Sequence, residues 1–297
     1  MPAVPFGLSV VTDEISQDFA HAAHVAQQYG CTALEIRSVD GKGPHGQDAD
    51  SRRRIRAIAA EHGMAICSIA SPFGKCDIES ESERREHLDI LRRCCDFARE
   101  VEAPMVRCFT FYREKNQIPD WERVVEYMRP GIEVIEEAGL TMGIENEPVT
   151  SCANAPLTLE FLTRVAHPQV KSIWDPGNDC WCELPDTPTP YPDGYALMKP
   201  HIAHVHVKDY APAKDGQSAA PTLVGSGLVD WVGQFRALIN DGFSGYASLE
   251  THWRPTREQM DDLSLKLPGG ADFSEGGEAG SRLCFEAIKR LLDEANS

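Results

Sequence analysis

A (β/α)8 TIM barrel is the fold class this sequence predicts, and three observations predict it. Short β-branched or apolar runs recur eight times between amphipathic helical segments. Their first residues fall about 30 apart, with wider gaps before the fourth and the eighth, which is the rhythm of βα units that pair in parallel. The chain has 297 residues, a normal size for one such barrel, so residues 1–297 are expected to form a single domain. A doubly wound sheet is the rival, but it does not need eight evenly spaced units.

The elements follow in order. "GLSVV" (7–11) is the first strand-like run, and a helix from about Ser16 to Tyr29 should stop at Gly30. "ALEIR" (33–37) is the second. "SRRRIR" (51–56) reads as the solvated start of the next helix, whose apolar face is Ile55, Ile58 and Ala59 and which ends at Gly63. "MAICSIA" (64–70) is the third strand. "PMVRCFT" (104–110), the fourth, follows the helix through "HLDILRRCCDFAREV". "LTMGIEN" (140–146), the fifth, follows "WERVVEYMRPGIEVIEEAG", with Gly139 as its stop. "VKSIWD" (170–175), "IAHVHVKD" (202–209) and "GYASLET" (245–251) complete the set. The polar stretches 182–195 and 254–280 both follow strands and are expected over the C-terminal mouth, where long loops shape a site.

Hydrophobic residues make up 42% and charged residues 25%, which suits a globular core. The net charge of −17 repels phosphate backbones, so nucleic acid is not an expected partner. No secretory signal and no membrane-length apolar run are visible, so a cytoplasmic location is expected. The ten scattered cysteines then read as free thiols, and the Cys180–Cys182 pair alone is a weak metal signal.

In such a barrel, catalytic groups sit at the C-terminal ends of strands. The second run ends in Glu35 and Arg37, the fourth passes Arg107, and the fifth ends in Glu145, Asn146 and Glu147. The sixth ends in Asp175 with Asn178 just past it, the seventh in His206, Lys208 and Asp209, and the eighth in Glu250 with His252 two beyond. Side chains alternate faces along a strand. Ile144, Val205, Val207 and Leu249 would face the helices. Glu145, His204, His206, Lys208 and Glu250 would then point into the barrel. Carboxylates converging there would raise one another's pKa unless a positive charge sat among them. Glu145, Asp175, His206 and Glu250 therefore make a hard, oxygen-rich site for a divalent cation. Mn²⁺ or Mg²⁺ fits best, with Co²⁺ and Zn²⁺ open. His204, one layer deeper, reads as a hydrogen-bonded core histidine, and Lys208 as lying above His206 near substrate oxygens.

At these residues the sequence resembles the sugar phosphate isomerase/epimerase superfamily, the xylose-isomerase-like TIM barrels. The likeness runs over nearly the whole chain, through "TDEISQDF" (12–19), "ALEIRSV" (33–39), "IENEP" (144–148), "WDPGN" (174–178), "HVHVKD" (204–209), "GLVDW" (227–231) and "GYASLE" (245–250). It implies a divalent metal held by Glu145, Asp175, His206 and Glu250. As in the ketose 3-epimerases, it implies that Glu145 and Glu250 move protons on opposite faces of a sugar through an enediolate. Asn178 stands where those epimerases have a substrate-contacting histidine, and Glu147 where many relatives have histidine. "VGSGLVD" (224–230) has no acidic residue before Asp230, unlike the Gly-x-Gly loop with an acidic residue that relatives often carry, and its GSG reads as a turn rather than a phosphate loop.

Glu35, Arg37, Arg107, Glu147, Asn178, Lys208 and His252 are candidate substrate contacts, although Glu35–Arg37 could equally be an internal ion pair. Trp181 with Tyr191 and Tyr195 could form a hydrophobic wall or lid. The expected activity is a metal-dependent isomerase or epimerase of a sugar, keto-sugar or cyclitol. The alternatives are a lyase or dehydratase on a keto-sugar or inosose, a sugar-binding barrel without chemistry, and a metalloendonuclease. The charge and the single strong histidine ligand speak against the last. A homo-oligomer is plausible because this superfamily often pairs barrels.

Overall fold

The computed structural model describes residues 4–114, 117–212, 219–255 and 274–297. Eight parallel strands run β1 (Gly7–Val10), β2 (Ala33–Ile36), β3 (Ala65–Ala70), β4 (Met105–Cys108), β5 (Thr141–Glu145), β6 (Val170–Trp174), β7 (Ile202–Val207) and, after a small hairpin, β10 (Tyr246–Leu249). Each falls within one of the eight expected runs. Their order around the sheet is β1-β10-β7-β6-β5-β4-β3-β2. The seam between β1 and β2 is closed by the Thr32 N–H donating to Leu8 O at 2.9 Å and by a parallel bridge between Val11 and Glu35. The result is a nearly closed (β/α)8 barrel.

Helices lie between the strands: α1 (Phe19–Gln28), α2 (Ala49–Glu61), α3 (Glu81–Glu100), α4 (Trp121–Ala138) and α5 (Ala155–Val165). The short α6 (Pro176–Cys180) and α7 (Tyr195–Met198) follow, then α8 (Trp231–Asn240) and α9 (Gly277–Ala295). The first helix starts later than the sequence suggests. Asp18 accepts hydrogen bonds from the N–H groups of Ala20 and His21, so it caps the helix and leaves Ser16 outside. Gly139 ends α4 in the left-handed region, at φ 70°, as expected. Ile55 and Ala59 are buried on α2, while Arg53, Arg54 and Arg56 reach solvent.

Between strands and helices lies the apolar layer, in which Ile144, Trp174, Val205, Val207 and Leu249 meet Phe97, Phe161, Trp231, Phe235 and Phe285. Burying these side chains supplies the main drive for folding. Two irregularities bear on the site. The register shifts between Leu34 and Glu35 where β2 pairs β3, and between Ser172 and Ile173 where β6 pairs β7. The extra residue is Cys67 on β3 in the first case and Ala203 on β7, just before His204, in the second.

The sequence did not reveal the hairpin β8 (Asp209–Ala211) and β9 (Ala220–Thr222), which rises from the end of β7. Of the two long loops, 182–195 leads into α7, and residues 256–273 lie outside the described residues. No described helix is long and apolar enough to cross a membrane. All ten cysteines are free thiols.

Candidate functional site

Four side chains from four neighbouring strands meet at the C-terminal mouth. Glu145 ends β5. Asp175 follows β6 and caps α6, its Oδ1 accepting from the Asn178 N–H at 3.0 Å. His206 sits on β7 and Glu250 follows β10. One ligand-capable atom from each lies within 4.8 Å of the others, and all four residues are buried. His206 Nδ1 is the hub, 3.4 Å from Glu145 Oε1, 3.5 Å from Asp175 Oδ2 and 3.2 Å from Glu250 Oε2.

Glu35 supports the cluster from the layer beneath. Its carboxylate lies 3.2 Å from His206 Nε2 and 3.0 Å from His204 Nε2. With Nε2 turned to Glu35, Nδ1 is the ring nitrogen that faces the three carboxylates and the one that would bind a metal once deprotonated, the arrangement in which a further carboxylate orients a metal-binding imidazole. His204 is thus the hydrogen-bonded core histidine expected. Glu35 does not pair with Arg37. The two turn to different partners, because Arg37 reaches Asp13, Glu14 and Glu250 instead.

Besides Arg37, two further cations of the chain touch the cluster. Lys208 Nζ lies 2.7 Å from Asp175 Oδ2, 2.9 Å from Glu250 Oε2 and 3.8 Å from Glu145 Oε1. Its ammonium thus contacts all three carboxylates of the cluster. Gly177 makes room for its stem, since a Cβ there would come within 2.6 Å of Lys208 Cγ. Arg107 bridges the two glutamates more loosely, its Nη1 3.3 Å from Glu145 Oε2 and 3.5 Å from Glu250 Oε1. Its guanidinium also stacks over Phe109.

The electrostatics follow from burial set against these contacts. Burial pushes the Glu145 carboxyl up, but His206 and Arg107 outweigh it and bring its pKa down to about 2. Glu250 is likewise pushed up by burial and held well below the usual range by Lys208 and His206. Burial wins only at Asp175, which is raised despite Lys208 and His206. For His206 itself, burial favours the neutral ring, and Glu35, Glu145 and Glu250 outweigh it to lift its pKa well above normal.

The donor set suits a divalent cation. Glu145 Oε2, Asp175 Oδ2 and His206 Nδ1 are buried with ion-pair contacts but no directed hydrogen bond among the described residues. Three carboxylates and one imidazole are hard, oxygen-rich ligands. A second buried trio, Glu35, His204 and His206, also has metal-capable spacing but shares His206 with the first.

The remaining candidates scatter around this centre. Asn178 donates its side-chain amide to Glu145 Oε1 at 3.1 Å and to Asn146 O at 2.8 Å, and accepts from the Trp181 indole at 3.2 Å. It is placed to orient Glu145. Asn146 ties the ends of β5 and β6 together, accepting from the Asp175 N–H and donating to Asp175 O. Glu147 pairs with Lys75 at 2.8 Å on the rim. His252 adopts a left-handed backbone, φ 50°, with Nε2 3.2 Å from Arg37 Nη1 and 3.6 Å from Glu250 Oε1. Trp181 stays near the site beside Tyr210. Tyr191 and Tyr195 do not join it: Tyr195 donates to Asp241 and Tyr191 packs toward Gly233 of α8.

The glycine-rich stretch 224–230 has a structural answer. Asp209 accepts from the N–H groups of Gly225, Gly227 and Val229 at 2.9–3.1 Å. A Cβ at Gly227 would lie 2.3 Å from that carboxylate, so glycine is needed for the close approach. Those amides already serve an anion of the chain, which is why the stretch is a turn.

Sequence reasoning missed Asp13, Glu14 and Arg254. Asp13 and Glu14 are fully buried in the 3₁₀ turn after β1 (Thr12–Glu14), and Arg254 reaches Glu14 at 3.2 Å. The available signal was the acid pair directly after an apolar strand, opposite an inward Arg37.

The comparisons with known proteins agree with this architecture. No curated protein matches the chain. Solved structures share its fold. A xylose isomerase domain protein from Planctomyces limnophilus superposes with TM-score 0.73 at 17% identity, over 100% of both chains. The IOLI protein, solved with a binding zinc atom, gives TM-score 0.71 at 14% identity, over 98% of this chain and 99% of that one. D-psicose 3-epimerase with D-tagatose, from Clostridium cellulolyticum H10, gives 0.69 at 15% identity, over 97% and 99%. A family profile described as xylose isomerase-like TIM barrel matches residues 23–272, and the chain belongs to that family.

Proposed function

We propose that the whole chain works as one barrel, a divalent-metal-dependent isomerase or epimerase of a sugar, keto-sugar or cyclitol, with Glu145 and Glu250 as the proton-transferring pair. The observation that carries this reading is the buried four-strand cluster, in which Glu145 Oε2, Asp175 Oδ2 and His206 Nδ1 have no directed hydrogen bond among the described residues. Glu145, Asp175, His206 and Glu250 would hold the ion, with Mn²⁺ or Mg²⁺ best matched to the oxygen-rich set. Bound there, it supplies Lewis acidity toward the substrate's carbonyl and hydroxyl oxygens.

The chain's own residues do the rest. Glu145 and Glu250 are both held ionised at neutral pH, so the one that starts the cycle is already in its base form. One takes the proton from the carbon beside the carbonyl, and the other, once it has taken up a proton from solvent, delivers that proton to the opposite face. Asn178 fixes Glu145 Oε1 and Arg37 fixes Glu250 Oε1 at 2.7 Å, so both carboxylates keep their orientation through the cycle. The epimerase with D-tagatose and the zinc-bound neighbour share this fold and support the reading by analogy.

The experiment is solvent exchange. Ketoses, keto-sugars and inososes are incubated in deuterated water with Mn²⁺-loaded protein and followed by NMR. Incorporation at the carbon next to the carbonyl, lost in Glu145→Gln and Glu250→Gln, supports the proposal. An unsaturated product would identify a lyase on the same centre. No exchange with any of them, in protein shown to hold Mn²⁺, would leave a sugar-binding barrel without chemistry.

A further inference from the structure

We infer that Lys208 is a built-in counter-cation, which occupies the focus of the cluster and must swing out when a divalent ion enters. This rests on the metal reading above. The atoms that would face the ion are Glu145 Oε1, Asp175 Oδ2, Glu250 Oε2 and His206 Nδ1. Lys208 Nζ already contacts the same three oxygens, at 3.8, 2.7 and 2.9 Å. An ammonium at hydrogen-bonding distance from two of these oxygens, and a divalent ion bonded to the same oxygens at about 2.0–2.2 Å, would be crowded cations with no anion between them.

The fold confines the exchange to the side chain. Lys208 O accepts from the Trp231 indole at 3.2 Å, and the next residue, Asp209, is pinned by the amides of Tyr210, Gly225, Gly227 and Val229. The backbone therefore stays while the four-carbon stem rotates. In the metal-free state Lys208 spares the buried carboxylates from mutual repulsion. In the loaded state its ammonium turns to the mouth, free to meet a substrate oxygen that gains negative charge. Lys208 thereby lowers the apparent metal affinity and makes binding of the ion the event that arms the site.

The test uses the full chain and Mn²⁺. Affinity is titrated for wild type and Lys208→Met, and the rate of reductive methylation of Lys208 is mapped by mass spectrometry in wild type with and without Mn²⁺. If the open position is populated at one part in ten without metal, Lys208→Met binds about tenfold tighter. Methylation of Lys208, slow in the metal-free protein, should rise about tenfold or more on loading. Unchanged methylation on loading overturns the inference even if Lys208→Met binds tighter, because the lysine would then act by charge repulsion from a fixed position. Weaker binding by Lys208→Met also overturns it. Should Lys208→Met fail to fold, wild-type methylation alone decides. No Mn²⁺ binding by the wild type would instead sink the metal reading on which the inference stands.

Discussion

Two charged networks meet at Glu250, and they differ in how completely their polar atoms are matched. On the β1–β2 side, Arg37 directs Nε to both oxygens of Asp13, Nη1 to Glu250 and His252, and Nη2 to Asp13 and Glu14. Ser38 donates to Asp13, and Arg254 takes the other face of Glu14. The fork of one arginine is met by carboxylates on nearly every side. On the β5–β7 side, Glu145, Asp175 and His206 each keep a buried atom with no directed hydrogen bond among the described residues. The contrast teaches where each network's work lies. A satisfied buried network fixes geometry, whereas an under-satisfied one of like charges is stable only if something else is meant to enter it.

Breaking the satisfied side should cost the most. Arg37→Met removes a cation shared by three buried carboxylates, Asp13, Glu14 and Glu250, and a loss of about 3–5 kcal/mol in urea unfolding is expected. A loss below about 1 kcal/mol would erase the distinction between the two sides. Glu145→Gln sharpens it from the other direction. Its unfolding free energy should stay within about 1 kcal/mol of wild type, while solvent exchange into substrate falls by about 10²–10⁴-fold.

Acid should act through the under-satisfied side. Glu145 and Glu250 have folded pKa values below their ordinary 4.5. Their contribution to stability is present above that value and is lost as pH falls through the folded pKa, which for Glu145 is about 2. Asp175, shifted upward, works in the opposite sense and blunts the effect. In chelator, wild type should lose on the order of 1–3 kcal/mol between pH 5 and about 2, with a shallower decline in Glu145→Gln. A flat profile would mean the carboxylates do not titrate as their contacts imply. The smallest effect is expected at Asn178→Ala, which removes the clamp on Glu145. About 1 kcal/mol of stability and a 10–100-fold drop in Mn²⁺ affinity are expected from denaturation and titration. Unchanged affinity would demote Asn178 from a positioning residue.

The same contrast explains what could be read from the chain alone. The eight strands and the inward side chains of Glu145, His206 and Glu250 were legible because period-2 alternation fixes a side chain's direction. Direction is not partnership. Glu35 lies inside β2 and reaches the histidines, whereas Arg37 follows the strand's last residue, Ile36, and turns to Asp13 and Glu14. Asp13 and Glu14 lie in a 3₁₀ turn without periodicity, so alternation could not say which way they point. Lys208 was expected above the cluster. Its stem is long and flexible, and parity alone did not show that the Asp175 and Glu250 carboxylates hold its ammonium at 2.7 and 2.9 Å. The β8–β9 hairpin escaped because its two strands have only three residues each.

Metal content tests the central claim most directly. Protein purified without added metal, then dialysed against Mn²⁺, is analysed by plasma mass spectrometry beside Glu145→Gln and His206→Ala, with circular dichroism to confirm folding. One divalent ion per chain in wild type, lost in both folded variants, is the expected result. A wild type that holds none, or variants that hold as much as wild type, would contradict the account and leave the cluster as a polar cap held together by Lys208.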